Sequence, residues 1–508
     1  MVFIAKARSS GKRPNILFIM ADDLNTALSG YGHPQCETPN LDRLAERGTA
    51  FTGAYCQYPL CGPSRASIMS GQYPLSNGVT KNGGLLTGEA PTLPQLFRQA
   101  GYWTGRVSKI YHMGVPGNIY TGDNGADHPA SWTERYNVSV MESLTPGKAE
   151  DVMLVDSTPV YEEYRKKWAA LKNKGGKLFI DHGNHQGSDF VIVEAEVDDA
   201  ELADGAAANK AIELLQQRAA ANTPFFLAVG FVRPHVPLVA PRRSFEAYQV
   251  DDMRVPDVPE GDLDDMPEAA KKQTNAKKYK LTPEAQRKSL RGYYAAISYM
   301  DEQVGRLLDT LDELDLRENT IVVFLSDHGY YLGEHGLWQK MSLFEESARV
   351  PLIIVPPNSK NAGTVCDSPV GLVDLAPTLL EICGVSPPEN LQGQSLVPRL
   401  ENPNEIGRGW SITQVVRRHG RGTQTFGYSL RTPRWRYTEW DSGKRGRELY
   451  DHKVDPLEQT NLVELDTHAN VITELAKTMK DALPTTLPKS GDIPQVSSMN
   501  WSPNLTEP

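Results

Sequence analysis

The stretch Asn15-Ile-Leu-Phe-Ile-Met20 is a short apolar run that ends just before the acidic pair Asp22-Asp23. The same pattern returns at Thr320-Ile-Val-Val-Phe-Leu325, which precedes Asp327-His328. Continuous apolar runs of this length are typical of strands that are buried on both faces of a mostly parallel sheet. The two runs therefore predict strands of one large sheet, each followed closely by acidic or imidazole side chains.

Two further runs extend the predicted sheet. Pro224-Phe-Phe-Leu-Ala-Val-Gly230 leads into Arg233-Pro-His235, and Val350-Pro-Leu-Ile-Ile-Val355 reads similarly. Since ligands of open α/β sheets bind beyond the carboxyl ends of the strands, we expect the polar residues after these runs to converge on one site.

Helical segments fall between the predicted strands. Thr38-Pro39 begins one such segment, which Gly48 closes. A longer helix is predicted by a stripe of apolar residues at helical spacing: Ile297, Met300, Val304, Leu307, Leu308, Leu311 and Leu314. Alternating strands and helices predict an α/β layered domain.

The length of 508 residues suits two or three domains, and 39% hydrophobic residues suit a globular core. After about residue 390 the pattern changes. The run Tyr428–Trp440 interleaves aromatics with arginines and looks like a strand, whereas Val471–Met479 looks like a closing helix. We therefore predict a catalytic domain over 1–390 and a smaller α+β domain over 391–508.

Charge limits the classes of partner. A net charge of -10 argues against nucleic-acid binding, and no apolar run approaches the ~20 residues of a membrane span. Between Arg417 and Arg447, however, nine Lys and Arg residues stand against Glu439 and Asp441. This basic stretch indicates either a site for an anionic ligand or a solvated basic face.

Five cysteines at irregular spacing form neither a zinc framework nor a dense disulfide scaffold. The N-terminal segment, residues 1–15, lacks the apolar core of a signal peptide. The chain is thus expected either to be cytoplasmic or to be a processed form of a periplasmic or secreted protein.

The segment Cys61-Gly-Pro-Ser-Arg65 is the densest in chemically active residue types, and it continues to Gly71. Pro63 suits the first position of a helix that Gly71 ends, so Cys61 would precede a helix N-terminus. The N–H groups and dipole at that end favour anions and would lower the pKa of a thiol. A buried structural cysteine is the alternative.

The pattern Cys61-x-Pro63-x-Arg65, with its following Ser-Gly turn, resembles the signature of type I sulfatases, whose cysteine is oxidised to formylglycine. Four other segments share motifs with that family, two of them (225–235 and 326–340) especially with its iduronate-2-sulfatase branch. They are Pro14–Asp23, Gly105–His112, Phe225–His235 and Ser326–Lys340. The tail Glu448-Leu-Tyr-Asp451 with Asp455-Pro456 and Asn461-Leu462 resembles the family's C-terminal motif.

The resemblance implies an alkaline-phosphatase-like fold with one divalent metal, usually Ca²⁺, with Mg²⁺ possible. Carboxylates are hard donors that suit either ion. Many sulfatases have Asn where this chain has His328, so a different metal preference stays open. The implied ligands are Asp22, Asp23, Asp327, His328 and an oxygen of the modified Cys61.

The resemblance also implies roles for basic residues. Arg65 would steady the formylglycine hydrate, while Lys109 and His112 would orient it, with His112 the base for sulfate release. His235 and Lys340 would bind sulfate, and either could protonate the leaving oxygen. We prefer His235 because an ordinary histidine pKa near 6.5 suits proton transfer at neutral pH.

Two residues beside the predicted metal strand, His335 and Trp338, are expected either to wall the substrate pocket or to serve packing. The expected activity is hydrolysis of a sulfate ester on a carbohydrate by a formylglycine hydrate nucleophile and a metal. Its partners would be the sulfated sugar and a formylglycine-generating maturation enzyme. The alternatives are a choline- or aryl-sulfatase, a phosphonate or phosphate ester hydrolase, and an inactive sulfated-glycan-binding relative.

Overall fold

The computed structural model describes residues 12–87, 91–152, 190–221, 223–271, 279, 281–419 and 423–488. The strands, in chain order β1 to β20, are Asn15–Asp22, Thr49–Phe51, Ala54–Tyr55, Trp103–Ser108, Glu134–Tyr136, Gly147–Asp151, Val191–Ala195, Phe225–Pro234, Leu238–Pro241, Thr320–Ser326, Tyr331–Leu332, Trp338–Gln339, Arg349–Val350, Leu352–Val355, Thr364–Cys366, Val370–Gly371, Ser411–His419, Thr423–Arg431, Trp435–Trp440 and Arg447–Asp451.

The described α-helices, α1 to α12, are Pro39–Ala45, Cys61–Ser70, Pro74–Asn77, Leu93–Gln99, Gly117–Thr121, Ala203–Ala219, Arg242–Phe245, Pro283–Glu313, Glu345–Ala348, Leu375–Ile382, Val397–Glu401 and Ala469–Ala482. None of the helices within these described ranges combines the length and apolarity that crossing a membrane requires. The N-terminal residues 1–11, on which the expectation about a signal peptide rests, lie outside the described residues.

A central eight-stranded sheet organises the molecule, with the order β15-β2-β14-β10-β1-β8-β4-β5. Strand β1 lies parallel to both β10 and β8, and β4 continues the parallel half. Strand β14 is antiparallel to both of its neighbours. The expected large, mostly parallel sheet is confirmed. The run Val350–Val355 divides at Pro351, however, because proline cannot donate a ladder hydrogen bond, and Val350 pairs in a separate small sheet.

Helices cover both faces of this sheet. Alternate side chains of β1 point to opposite faces and therefore pack in different cores. Leu17 and Ile19 pack in one core with α6 and α8, whereas Ile16 and Phe18 pack in another with α2, α4 and α10. The predicted stripe from Ile297 to Leu311 is buried on α8, and Leu314 lies just beyond its end. Full burial of each large apolar side chain contributes roughly 1.5–3 kcal/mol.

The C-terminal part has the expected α+β character: β17 to β20 form an antiparallel sheet, with α12 beside it. The run Tyr428–Trp440 is not one strand but a hairpin, because β18 ends at Arg431 and the N–H of Thr432 bonds the carbonyl of Trp435. The boundary at 390/391 stays a prediction. Leu396 and Leu400 still pack in the core of the large sheet, and the small sheet begins at Ser411.

Most of the described basic side chains in the stretch 417–447 form ion pairs within the protein. This argues against the interpretation that the stretch binds an anionic ligand. The described pairs are Arg431–Glu345, Arg436–Glu345, Arg436–Glu458, Arg434–Asp451, Arg445–Asp441 and Arg447–Glu439. Arg421 and the side chain of Arg418 lie outside the described residues.

Candidate active site

The carboxyl ends of β1 and β10 bring the two acidic loops together, as the sequence predicts. The strands are paired through Ala21 and Ser326, so Asp22 and Asp327 emerge side by side. The N–H of Asp23 donates to Oδ1 of Asp327 at 3.2 Å. Asp23 has a φ of 63°, a left-handed conformation that is uncommon for a non-glycine residue and turns the chain sharply after the strand.

Cys61 is the first residue of α2, two positions earlier than the sequence predicts. Pro63 is tolerated inside the first turn because the N–H groups there have no intrahelical partner. Gly71, with a φ of 63°, ends the helix as expected. The Cys61 Sγ lies 3.2 Å from Nε2 of His328 and 3.2 Å from Nζ of Lys340.

The expected fall in the pKa of the Cys61 thiol is wrong. Burial raises this pKa, and the negative charge of Asp22 raises it further, against Lys340 and Lys109. The thiol is 1% exposed, so the loss of hydration outweighs the field of the helix. All five cysteines are buried, and none of them forms a disulfide.

Two overlapping groups of metal-ligand atoms meet at Cys61. Ligand atoms of Asp22, Cys61, Asp327 and His328 lie within 4.8 Å of one another, as do those of Asp23, Cys61 and His235. Nδ1 of His328 lies 2.9 Å from the carbonyl of Gly329, to which it can donate, which leaves the Nε2 lone pair for the cluster. Three carboxylates and one oriented imidazole fit a hard divalent cation.

Basic side chains compensate the buried carboxylates. Nε of Arg65 lies 2.7 Å from Oδ2 of Asp327, and its Nη2 lies 3.1 Å from Oδ1 of Asp22. Nζ of Lys109 lies 2.5 Å from Oδ2 of Asp22, while Lys340 contacts Asp23. Burial alone would raise the pKa of Asp22, but Lys109 and Arg65 hold this pKa well below its usual range. The carboxylate of Asp22 therefore stays ionised and able to bind a cation.

Arg65 does more than the sequence indicated. Besides its two carboxylate partners, it donates to the backbone carbonyls of Lys109 and Ile110. One guanidinium thus joins the loops that follow β1, β4 and β10. Its proposed contact with a modified Cys61 stays a prediction.

His235 faces the same cluster and has a partly exposed side chain. Nδ1 lies 2.6 Å from the carbonyl of Val236, and Nε2 lies 3.8 Å from Oδ2 of Asp23. Burial lowers the pKa of His235 to about 3, although Asp23 and Asp22 act in the opposite direction. The preference for His235 as proton donor, which used an ordinary pKa, therefore loses its basis.

The structure places the remaining predicted residues around this centre. His112 is buried in the loop that follows β4, three residues after Lys109. His335 lies 2.8 Å from Asp262 and stacks on Phe344 with ring centroids 4.1 Å apart. Trp338 is 1% exposed and packs in the main core. Roles of His335 and Trp338 as pocket walls stay predictions.

Sequence reasoning missed several supporting residues. Nη1 of Arg233 donates to the carbonyl of His235 at 2.7 Å, and Arg233 also pairs with Glu142. The hydroxyl of Tyr293, on α8, donates to the carbonyl of Asp23 at 2.6 Å. Arg233 stands inside a quoted motif and could have been suspected. Tyr293 lies in an ordinary amphipathic helix, where no local pattern marks it.

Three known proteins are similar to this chain over most of their length. The iduronate 2-sulfatase of Mus musculus is 28% identical over 556 residues, covering 93% of this chain and 94% of the relative. The choline-sulfatase of Rhizobium meliloti (strain 1021) is 31% identical over 481 residues, covering 89% and 83%. A solved structure in complex with its substrate, D-glucosamine-2-N,6-O-disulfate, has a TM-score of 0.68 at 25% identity and covers 96% and 100%.

Family models agree with these likenesses. The model described as Sulfatase matches residues 14–385, and the model described as N-sulphoglucosamine sulphohydrolase, C-terminal, matches residues 333–484. The first match spans well over half of the chain and includes every side chain of the cluster around Cys61. The chain therefore belongs to the sulfatase family, whose members are sulfuric ester hydrolases with an alkaline-phosphatase-like fold.

Proposed function

We propose that this protein hydrolyses a sulfate ester carried by a sulfated sugar. The observation that carries the proposal is the position of Cys61: its Sγ lies within 3.2 Å of both His328 and Lys340, beside the carboxylates of Asp22, Asp23 and Asp327. A relative named for iduronate 2-sulfate and a structure holding a disulfated glucosamine support a sugar substrate.

The family implies a divalent metal and oxidation of Cys61 to formylglycine, and the donor atoms around Cys61 fit the metal. Asp22, Asp23, Asp327 and His328 would hold the ion, which we propose to be Ca²⁺, with the modified residue 61 adding an oxygen. When present, the hydrated aldehyde supplies a nucleophilic hydroxyl and the ion lowers the pKa of that hydroxyl. A maturation enzyme would have to introduce the aldehyde.

Side chains of this protein would bind the sulfate ester and transfer the protons of the reaction. Nζ of Lys340, which contacts Asp23 and Cys61, supplies positive charge where the sulfate oxygens must lie. Nε2 of His235 points to the same place because its Nδ1 is directed at Val236. Lys109 would orient the nucleophile from the Asp22 side, with His112 as the base for sulfate release.

A choline ester is the second candidate substrate, favoured by the 31% identical choline-sulfatase. Purified protein should be offered choline sulfate, an aryl sulfate, an aryl phosphonate and sulfated disaccharides. We expect the highest kcat/KM with a sulfated disaccharide. Turnover of choline sulfate or of the phosphonate alone would instead identify the corresponding alternative.

The test of the proposed chemistry is a Cys61→Ala variant. Loss of the nucleophile should lower kcat for sulfate release at least 10³-fold, since covalent catalysis depends on this one side chain. Cys383→Ala, which removes another buried thiol, is the matched control and should keep its activity. Peptide mass spectrometry should show one sulfur and two hydrogens of Cys61 replaced by one oxygen. Full activity of Cys61→Ala would refute the mechanism.

A further inference from the structure

The segment that carries Lys340 has an unusual backbone. Gln339 and Met341, on either side of the lysine, have φ values of 76° and 82°. Residues with a Cβ rarely adopt this left-handed region, and such conformations persist where surrounding contacts impose them. The position of the Lys340 ammonium against Cys61 and Asp23 must therefore depend on what anchors these neighbours.

The hydroxyl of Ser347 anchors the segment on the C-terminal side of Lys340. Its oxygen accepts hydrogen bonds from the N–H of Met341 at 3.0 Å and from the N–H of Ser342 at 3.3 Å. Ser347 is fully buried in α9, so water cannot replace these bonds. We propose that Ser347 is a positioning residue that fixes the Lys340 ammonium in the active site.

Ser347 also touches the metal-binding loop, but through its backbone. The N–H of Gly329 donates to the carbonyl of Ser347 at 3.0 Å, and the carbonyl of Gly329 faces Nδ1 of His328. A Cβ at Gly329 would lie 2.0 Å from the carbonyl oxygen of Glu346, so the loop and α9 are in close contact. The side chain of Ser347 therefore anchors the Lys340 segment, whereas its main chain contacts the His328 loop.

The small C-terminal sheet holds α9 in place. The N–H of Glu345 donates to Oε2 of Glu458 at 2.8 Å, and Arg436 bridges the carboxylates of Glu345 and Glu458. Arg417, on β17, reaches the carbonyl of Met341 at 3.4 Å. The Lys340 segment is thus held between Ser347 on one side and the C-terminal sheet on the other.

A double-mutant cycle tests this inference, which rests on the proposed function. Sulfate release from an aryl sulfate should be measured for wild type, Ser347→Ala, Lys340→Ala and the double variant. We expect Ser347→Ala to lower kcat/KM about tenfold or more in the wild-type background and by less than about twofold when Lys340 is already absent. An equal loss in both backgrounds would show a general structural effect and overturn the proposal.

Two controls separate the possible failures. Ser411→Ala removes a buried hydroxyl with no hydrogen-bond partner among the described residues and should keep activity within about twofold of wild type. Calorimetry should measure the affinity of Cys61→Ala protein for the aryl sulfate, with and without the Ser347→Ala substitution. We expect Ser347→Ala to weaken this binding as well, in a protein that does not turn the ester over. Wild-type turnover unchanged by Ser347→Ala overturns the positioning role alone. No sulfate release from matured wild type would overturn the proposed function and this inference with it.

Discussion

Arg65 shows how one residue of the signature serves the whole site. Its guanidinium is fully buried and joins Asp22, Asp327 and the backbone after β4. Lysine could not reproduce these contacts, because an ammonium lacks the planar fork that reaches several acceptors at once.

Arg65→Ala should lower the free energy of unfolding by about 3–5 kcal/mol, since it removes the guanidinium that pairs with the buried Asp327 and one of the two cations that pair with the buried Asp22. Arg43→Ala is the matched control, because Arg43 forms a 2.7 Å pair with Asp309 at the exposed surface. Its cost should stay below about 1 kcal/mol. Urea unfolding followed by circular dichroism measures both variants. Equal costs would contradict the view that burial makes the Arg65 pairs important.

At the scale of elements, the site depends on how closely β8 approaches the end of β4. Gly230 on β8 is paired with Ser108, and a Cβ at Gly230 would lie 2.1 Å from the carbonyl oxygen of Lys109. Only a glycine at this position permits the approach that brings Lys109 to Asp22.

Gly230→Ala should therefore displace the Lys109 loop, costing about 1–3 kcal/mol of stability and reducing kcat/KM at least tenfold. Gly83→Ala places the same methyl group where nothing lies within 4 Å and should change neither quantity measurably. Thermal unfolding measures the stability of the two variants, and steady-state kinetics measures their kcat/KM. A fully active Gly230→Ala would show that the loop position is not critical.

For the molecule as a whole, we expect the sheet and its two cores to stay folded without the metal ion proposed at Cys61. The carboxylates already have Arg65, Lys109 and Lys340 as counterions. A chelator should therefore abolish activity while the circular dichroism spectrum stays that of the folded protein. Re-addition of Ca²⁺ or Mg²⁺ should identify the ion that restores turnover. Global unfolding on chelation would mean that the ion stabilises the fold itself.

Stability should also depend on pH through the C-terminal sheet. Burial raises the pKa of Glu448 to about 7, even though Trp440 and Tyr450 donate hydrogen bonds to its carboxylate. Between its unfolded pKa of about 4.3 and about 7, the folded state binds more protons than the unfolded state, so stability falls as pH rises. The loss from this group is about 4 kcal/mol, at about 1.4 kcal/mol for each pKa unit.

Glu448→Gln should remove that loss, so the free energy of unfolding of the variant, relative to wild type, should rise between pH 5 and pH 8. Urea unfolding across this range provides the measurement. Glu439→Gln, which changes the same residue type in the neighbouring strand, is the matched control. A Glu448→Gln profile parallel to that of wild type would contradict the raised pKa.

Local patterns in the chain were sufficient for the layered fold, the strands that lead to Asp22, Asp327 and His235, and the residues gathered around Cys61. Apolar runs and short motifs carry this information because each depends on neighbours a few positions away. The helix α2 and the metal loops follow from such neighbours as well.

Other properties arise only when distant segments meet. The raised pKa of the Cys61 thiol, the ion pairs that occupy the basic stretch and the anchoring of Lys340 by Ser347 and the C-terminal sheet all join residues far apart in the chain. Burial and close packing determine these interactions, and both depend on contacts between distant segments that local sequence patterns do not predict.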